Sequence, residues 1–137
     1  MSDAFNEQVI DEYRATGGDV TGPLAGQQML LVTHKGARTG AIRTTPVGYY
    51  DDFGTPVIFA SMMGAPKHPQ WYFNLVAHPD VAVELGNDMF AARARVVEGK
   101  EREGLWSRVV EEKHFLAAHQ LQTGGREIPL IRLEVLE

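Results

Sequence analysis

His34-Lys35-Gly36-Ala37-Arg38-Thr39-Gly40-Ala41-Ile42-Arg43-Thr44-Thr45-Pro46 joins two runs that read as strands, Gln28 to His34 and Ile42 to Tyr50. The two glycines permit a tight turn and a close approach of main-chain N–H groups to a ligand. Lys35, Arg38 and Arg43 bring positive charge to both ends of that turn, and Thr39, Thr44 and Thr45 bring hydroxyls. These are the parts of an anion-binding nest, and equally of a solvated hairpin turn. Pro46 implies an edge, a bulge or a bend in the second strand.

Working outward, short strands follow closely: Pro56 to Ser61, Val81 to Leu85, Met89 to Glu98 and Ile128 to Leu136. Val81, Val83 and Leu85 alternate with Ala82 and Glu84, the period of a half-buried strand. Three helices are expected. Ala4 to Ala15 carries Phe5, Val9, Ile10 and Tyr13 on one stripe, and Gln70 to Ala77 follows Pro69. Lys100 to about Gln122 carries Leu105, Val109, Leu116 and Leu121 along an inner stripe. About six strands joined mostly as hairpins, with few helices, point to a mainly β (α+β) domain built as a closed or nearly closed antiparallel barrel. Residues 1–137 read as one domain with an N-terminal helix within residues 1–18.

In the Gln70–Ala77 helix, Trp71, Asn74, Leu75 and His78 share a face. An asparagine on the stripe of a tryptophan and a leucine implies a buried amide in need of partners.

The net charge is −5, yet between Val20 and Pro79 four basic residues face only Asp51 and Asp52, a window of +2. That local field suits one small anionic molecule and argues against a nucleic acid, which asks for a broad basic face. The chain has no cysteine, so disulfides and thiolate metal sites are excluded. No apolar run approaches the roughly 18 residues of a membrane span. Met1-Ser2-Asp3-Ala4 lacks the features of a signal peptide. A cytoplasmic location is expected, with a peripheral contact at the inner membrane face left open. The first helix has an acidic polar face, which counts against membrane binding through that helix.

Nucleophile-elbow, zinc-protease, Walker and Rossmann patterns are all absent, and no spacing suggests a metal site. His114 and His119 lie five apart, poorly placed to share a metal on one helix, and His34, His68 and His78 read as isolated histidines. What remains is a site for a cofactor, made of the Lys35–Pro46 turn, the Ser61–Lys67 loop and the start of the Trp71–Asn74 helix. Met62, Met63 and Trp71 would give it an apolar wall for a flat ring, though such a cluster serves equally as core.

At these residues the chain resembles the deazaflavin-dependent nitroreductase family, small split β-barrel proteins that use coenzyme F420. The motifs are Gly36-Ala37-Arg38-Thr39-Gly40 with Arg43 and Pro46, Ala60-Ser61 with Gly64, Pro69-Gln70-Trp71-Tyr72-Phe73-Asn74-Leu75, and Arg126-Glu127-Ile128-Pro129-Leu130. The resemblance spans about Leu30 to Leu133. It implies that Arg38, Thr39, Gly40 and Arg43, with Lys35 nearby, hold the phosphate and tail of the cofactor. Thr45, Pro46, Ser61, Gly64 and the Gln70–Asn74 segment would line the ring end. The implied reaction is hydride transfer from the reduced deazaflavin to a hydrophobic, electron-poor acceptor: a quinone, a conjugated enone or lactone, or a nitroarene.

Two departures stand out. Met62 replaces a lysine of many relatives, and the segment Lys113–Gln120 lacks the tyrosines that cover the substrate in nitroreductases of this family. His114 and His119 are then the candidate proton donors. Two alternatives remain: a cofactor- or lipid-binding barrel without turnover, and a split-barrel oxidoreductase using FMN. A homodimer is compatible with either.

Overall fold

The computed structural model describes residues 3–136; Met1 and Ser2, part of the expected N-terminal segment, and Glu137 lie outside the described residues. Six strands form it: β1 (Met29–Lys35), β2 (Ile42–Asp52), β3 (Thr55–Phe59), β4 (Asp80–Leu85), β5 (Asp88–Val96) and β6 (Leu130–Val135). All paired neighbours are antiparallel, and they close a barrel in the order β1-β2-β3-β6-β5-β4. The expected α+β barrel is therefore present, with strand ends within about two residues of the sequence reading.

Alternation decides what fills the barrel. Leu30 and Val32 of β1, Val47 of β2, Ile58 of β3, Val81 and Val83 of β4, Ala92 of β5, and Ile131 and Leu133 of β6 form one buried cluster. Each strand thus sends every second side chain inward. On β1 the next inward position after Leu30 and Val32 is His34, at the end of the barrel; on β2 the matching positions before Val47 are Thr45 and Arg43. The site is built on these last inward positions.

β2 bonds β1 along residues 42–48 and β3 along residues 49–52. Its first half therefore has one free edge. Pro46, buried opposite Leu31, sits in that half, where a missing N–H costs no ladder bond on the open side.

Four α-helices flank the strands. α1 (Asp3–Thr16) lays Val9, Ile10 and Tyr13 over Met29 and Leu31, the outward residues of β1. The Tyr13 hydroxyl donates to the Met29 carbonyl at 3.0 Å and accepts the Gly86 N–H at 2.8 Å, which pins the helix to β1 and to the β4–β5 turn. α2 (Gln70–Ala77) has the bounds read from sequence, and its Leu75 enters the barrel cluster. That burial is worth about 2 kcal/mol by transfer.

The single late helix expected from sequence is two: α3 (Gly99–Glu112) and α4 (Phe115–Gln122), broken at Lys113 and His114. Leu105, Val109 and Leu116 are buried as expected, but Leu121 is 88% exposed because the break turns its face outward. No glycine or proline marks that break in the sequence.

Candidate functional site

The β1–β2 turn is closed by its own backbone. Gly36 N–H donates to the Ala41 carbonyl at 2.8 Å, and Gly40 N–H to the Gly36 carbonyl at 3.0 Å. Thr39 Oγ1 accepts the Ala41 N–H at 3.1 Å. Gly40 needs its φ of +72°, and a Cβ on Gly36 would come within 2.9 Å of Thr39 Oγ1. The N–H groups of Arg38 and Thr39 make no hydrogen bond among the described residues.

This turn, the inward ends of β1 and β2, and α2 surround a cavity of about 400 Å³. Of the residues expected from sequence, Arg38, Thr39, Arg43, Thr45, Gln70, Trp71 and Asn74 line it. Lys35 and Gly40 belong to the same turn, with the Lys35 stem beside Gly40. Asn6 of α1 also lines it, so the N-terminal helix forms one wall; the Asn6 Oδ1 is buried and has no hydrogen-bond partner among the described residues. A second cavity of the same size lies beyond Arg43 and Thr45, lined on the α1 side by Glu7, Ile10, Asp11 and Arg14.

The arginines separate this cavity from the rest of the surface. Arg14, Arg93, Arg95, Arg108 and Arg132 are held by carboxylates, Arg102 by Glu127 and a carbonyl, and Arg126 by carbonyls. Lys35, Arg38 and Arg43 have no hydrogen bond or ion pair among the described residues. Unpaired cations around free amides are what an anion binds to.

The buried amide of Asn74 finds its partners here. Its Oδ1 accepts from the Ala37 N–H at 3.0 Å and from Gln70 Nε2 at 3.2 Å, and its Nδ2 lies 3.1 Å from His34 Nδ1. His34 Nε2 lies 2.9 Å from Thr45 Oγ1. His34 is 3% exposed, and burial first, then the Arg43 charge, hold its pKa below the ordinary value of 6.5. Read by itself in the sequence, His34 looked isolated; the available signal was its place after Leu30 and Val32 in the inward alternation.

The Ser61–Gly64 residues stand apart from the cavity lining. Met62, Met63 and Gly64 have φ of 49°, 57° and 79°, three left-handed residues in succession. This turn packs against α4, where Ser61 Oγ lies 2.7 Å from His119 Nδ1. Met62 and Met63 are 54% and 80% exposed. Phe115 stands edge-on to both Phe59 and His119, with ring centroids 5.9 and 5.4 Å apart. His114 turns away, its Nε2 on the Glu111 carbonyl.

Arg126, quoted only as part of a motif in the sequence reading, ties the 60–68 loop together. It donates to the carbonyls of Ala60 at 2.9 Å, Ser61 at 2.6 Å and Ala65 at 3.0 Å, and to His68 Nδ1 at 3.0 Å.

Residues 6–135 match the model of a family described as F420H(2)-dependent quinone reductase. An F420H(2)-dependent quinone reductase of Mycobacterium tuberculosis (strain H37Rv) is 33% identical over 124 residues, which cover 88% of this chain and 83% of that protein. A solved F420-H2 dependent reductase, FDR-A, is 38% identical over 78% of this chain and 94% of its own, with a TM-score of 0.70. A second solved relative, described as a domain-swapped dimer, is 34% identical over 93% of this chain and 95% of its own, with a TM-score of 0.72.

Proposed function

This chain belongs to the F420H(2)-dependent quinone reductase family, and from that premise we propose how its cavity serves coenzyme F420 and where its acceptor docks. It is an F420H2-dependent oxidoreductase. The cofactor joins a flat ring to an anionic phosphate and glutamate tail, and the residues present fit it. Lys35, Arg38 and Arg43 are cations without partners among the described residues, the Arg38 and Thr39 amides are free, and Trp71 gives an aromatic wall. Arg38 and Arg43, unpaired among the described residues in a chain whose other arginines are all engaged, carry this reading.

In this reading Arg38, Thr39, Gly40 and Arg43, with Lys35 beside them, hold the phosphate and tail. Thr45, Gln70, Trp71 and Asn74 border the ring end, whereas Pro46, opposite the outward Leu31, and Ser61, Met62, Met63 and Gly64 lie outside this cavity's lining. Bound F420H2 supplies the hydride. The chain's own work is to orient the ring, exclude water and hold a proton. His119 is the proton donor we favour over His114, because its Nδ1 is fixed on Ser61 while His114 is tied to the backbone of its own turn.

The acceptor is a hydrophobic, electron-poor molecule, with a quinone preferred over an enone or a nitroarene on the names of the relatives. Exposed Met62, Met63 and Phe115 beside His119 offer it an apolar seat. No helix among the described residues is long and apolar enough to cross a membrane. We place the protein in the cytoplasm, meeting the acceptor at the inner membrane face, and as a homodimer. Cell fractionation and sedimentation test those two placements.

The deciding experiment is a titration of ligand-free protein with oxidised F420, followed by cofactor fluorescence, with FMN in parallel. Micromolar binding of F420 and weaker binding of FMN are expected, followed by oxidation of F420H2 on addition of a soluble quinone. Preference for FMN, or no turnover with any acceptor, overturns the reading.

A further inference from the structure

The hydrogen-bond partners at the barrel mouth determine one another, starting from a donor whose identity is beyond choice. A backbone N–H only donates, so the Ala37 N–H, 3.0 Å from Asn74, fixes the oxygen of that amide toward the turn. Gln70 Nε2, 3.2 Å from the same oxygen, agrees with this orientation. The NH2 of Asn74 must then face His34 Nδ1 at 3.1 Å. An amide NH2 only donates, so Nδ1 is the bare nitrogen of the ring. His34 is 3% exposed and kept neutral by burial and by Arg43, so its one proton sits on Nε2. That nitrogen lies 2.9 Å from Thr45 Oγ1, which therefore accepts.

Turning Asn74 over would set its NH2 against the Ala37 N–H. Protonating His34 would set an N–H against the NH2 of Asn74. Each alternative leaves a buried donor facing a donor. Thr45 has no other side-chain hydrogen bond among the described residues, and it lines the cavity.

We propose that Ala37, Asn74, His34 and Thr45 form a one-way chain of donors that ends on a Thr45 lone pair and so leaves the Thr45 O–H free to donate into the cavity. Thr45 thereby offers its O–H to a hydrogen-bond-accepting oxygen of the bound molecule, a phosphoryl oxygen or a ring carbonyl. Asn74 and His34 are positioning residues for that one proton. That contact rests on the cavity being the F420 site; the direction of the chain does not.

Two measurements test this. In ligand-free, 15N-labelled protein at neutral pH, the histidine ring shifts should show pyrrole-type Nε2 and pyridine-type Nδ1 for His34, assigned by loss of the signals in His34→Gln. The opposite tautomer or an imidazolium overturns the chain, whatever the ligand. Thr45→Val should then weaken F420 binding about tenfold, while Thr45→Ser stays within about threefold of the natural protein.

Repeating the titration with the phosphate-free ribityl deazaflavin identifies the oxygen. A persisting penalty for Thr45→Val marks a ring carbonyl, and a vanished one marks the phosphate. Unchanged F420 affinity in Thr45→Val overturns that contact and leaves the cofactor assignment standing. If the natural protein binds no F420, the proposed function falls, and the ring shifts alone still judge the chain.

Discussion

Arg43 stands directly across the β1–β2 ladder from His34, so the cation free to meet a ligand is also the charge that helps keep the buried imidazole neutral. Removing it should have two separable effects. Arg43→Ala should weaken F420 binding by about 1.5–3 kcal/mol, the worth of a charge-assisted contact, while the melting temperature stays nearly constant because Arg43 has no partner to lose. The His34 pKa should rise at the same time, as NMR titration would register. Unchanged affinity would detach Arg43 from the tail.

His34 and His68 are both held below the ordinary value of 6.5, each first by burial and then by a neighbouring arginine, Arg43 and Arg126 respectively. The unfolded chain therefore binds protons more readily than the fold does. This part of the stability is complete above pH 6.5 and is lost as pH falls through the lowered values. Thermal unfolding followed between about pH 7 and pH 5 should show a falling midpoint, and His34→Gln should flatten the slope. The carboxylates act lower: Arg95 and Arg132 bring Glu101 down to about 2, so its contribution is complete above the ordinary value of 4.5 and is lost as pH falls from there through about 2.

Asp52, 6% exposed, receives Arg132 at 2.8 Å and Arg108 at 3.2 Å. The arginine side chains are 14% and 42% exposed, which ranks the two contacts. Asp52→Ala should cost about 2 kcal/mol, because Arg132 is left with Glu101 alone and Arg108 loses its carboxylate, whereas Arg108→Ala should cost about 1 kcal/mol or less. Urea unfolding of the two variants checks the order; equal losses would refute it.

Gly64 has a φ of +79°, and a Cβ there would lie 2.8 Å from the His119 carbonyl, which is backbone and has little room to yield. Gly64→Ala should therefore destabilise by roughly 2 kcal/mol or more. It should also disturb the Ser61–His119 contact, visible as a changed His119 ring shift. A melting temperature equal to that of the natural protein would show the turn to be less constrained than its geometry.

Periodicity carried most of the architecture. Alternation gave the strands, and the stripe of Trp71, Asn74 and Leu75 gave α2 together with the demand of a buried amide for partners, which Ala37, Gln70 and His34 meet. The break at Lys113–His114 was not legible, because the residues around it all tolerate a helix and the turn is set by packing of Leu116 against the Val57–Leu130 cluster. The Ser61–His119 contact joins positions 58 apart in the chain, a distance at which local pattern says nothing. His34 lay between these cases: its inward phase was readable, and its partners were not.

β6 is the last strand among the described residues, and it enters between β3 and β5. Its Arg132 pairs with Val57 of β3 and its Leu133 with Ala94 of β5. Until Leu130–Val135 have left the ribosome, β3 and β5 each expose a row of unpaired backbone groups. The nascent chain then carries two sticky margins and an open apolar interior. Closure is a late, long-range event with a large loop entropy behind it. The barrel is thus complete only when Leu130–Val135 insert between β3 and β5.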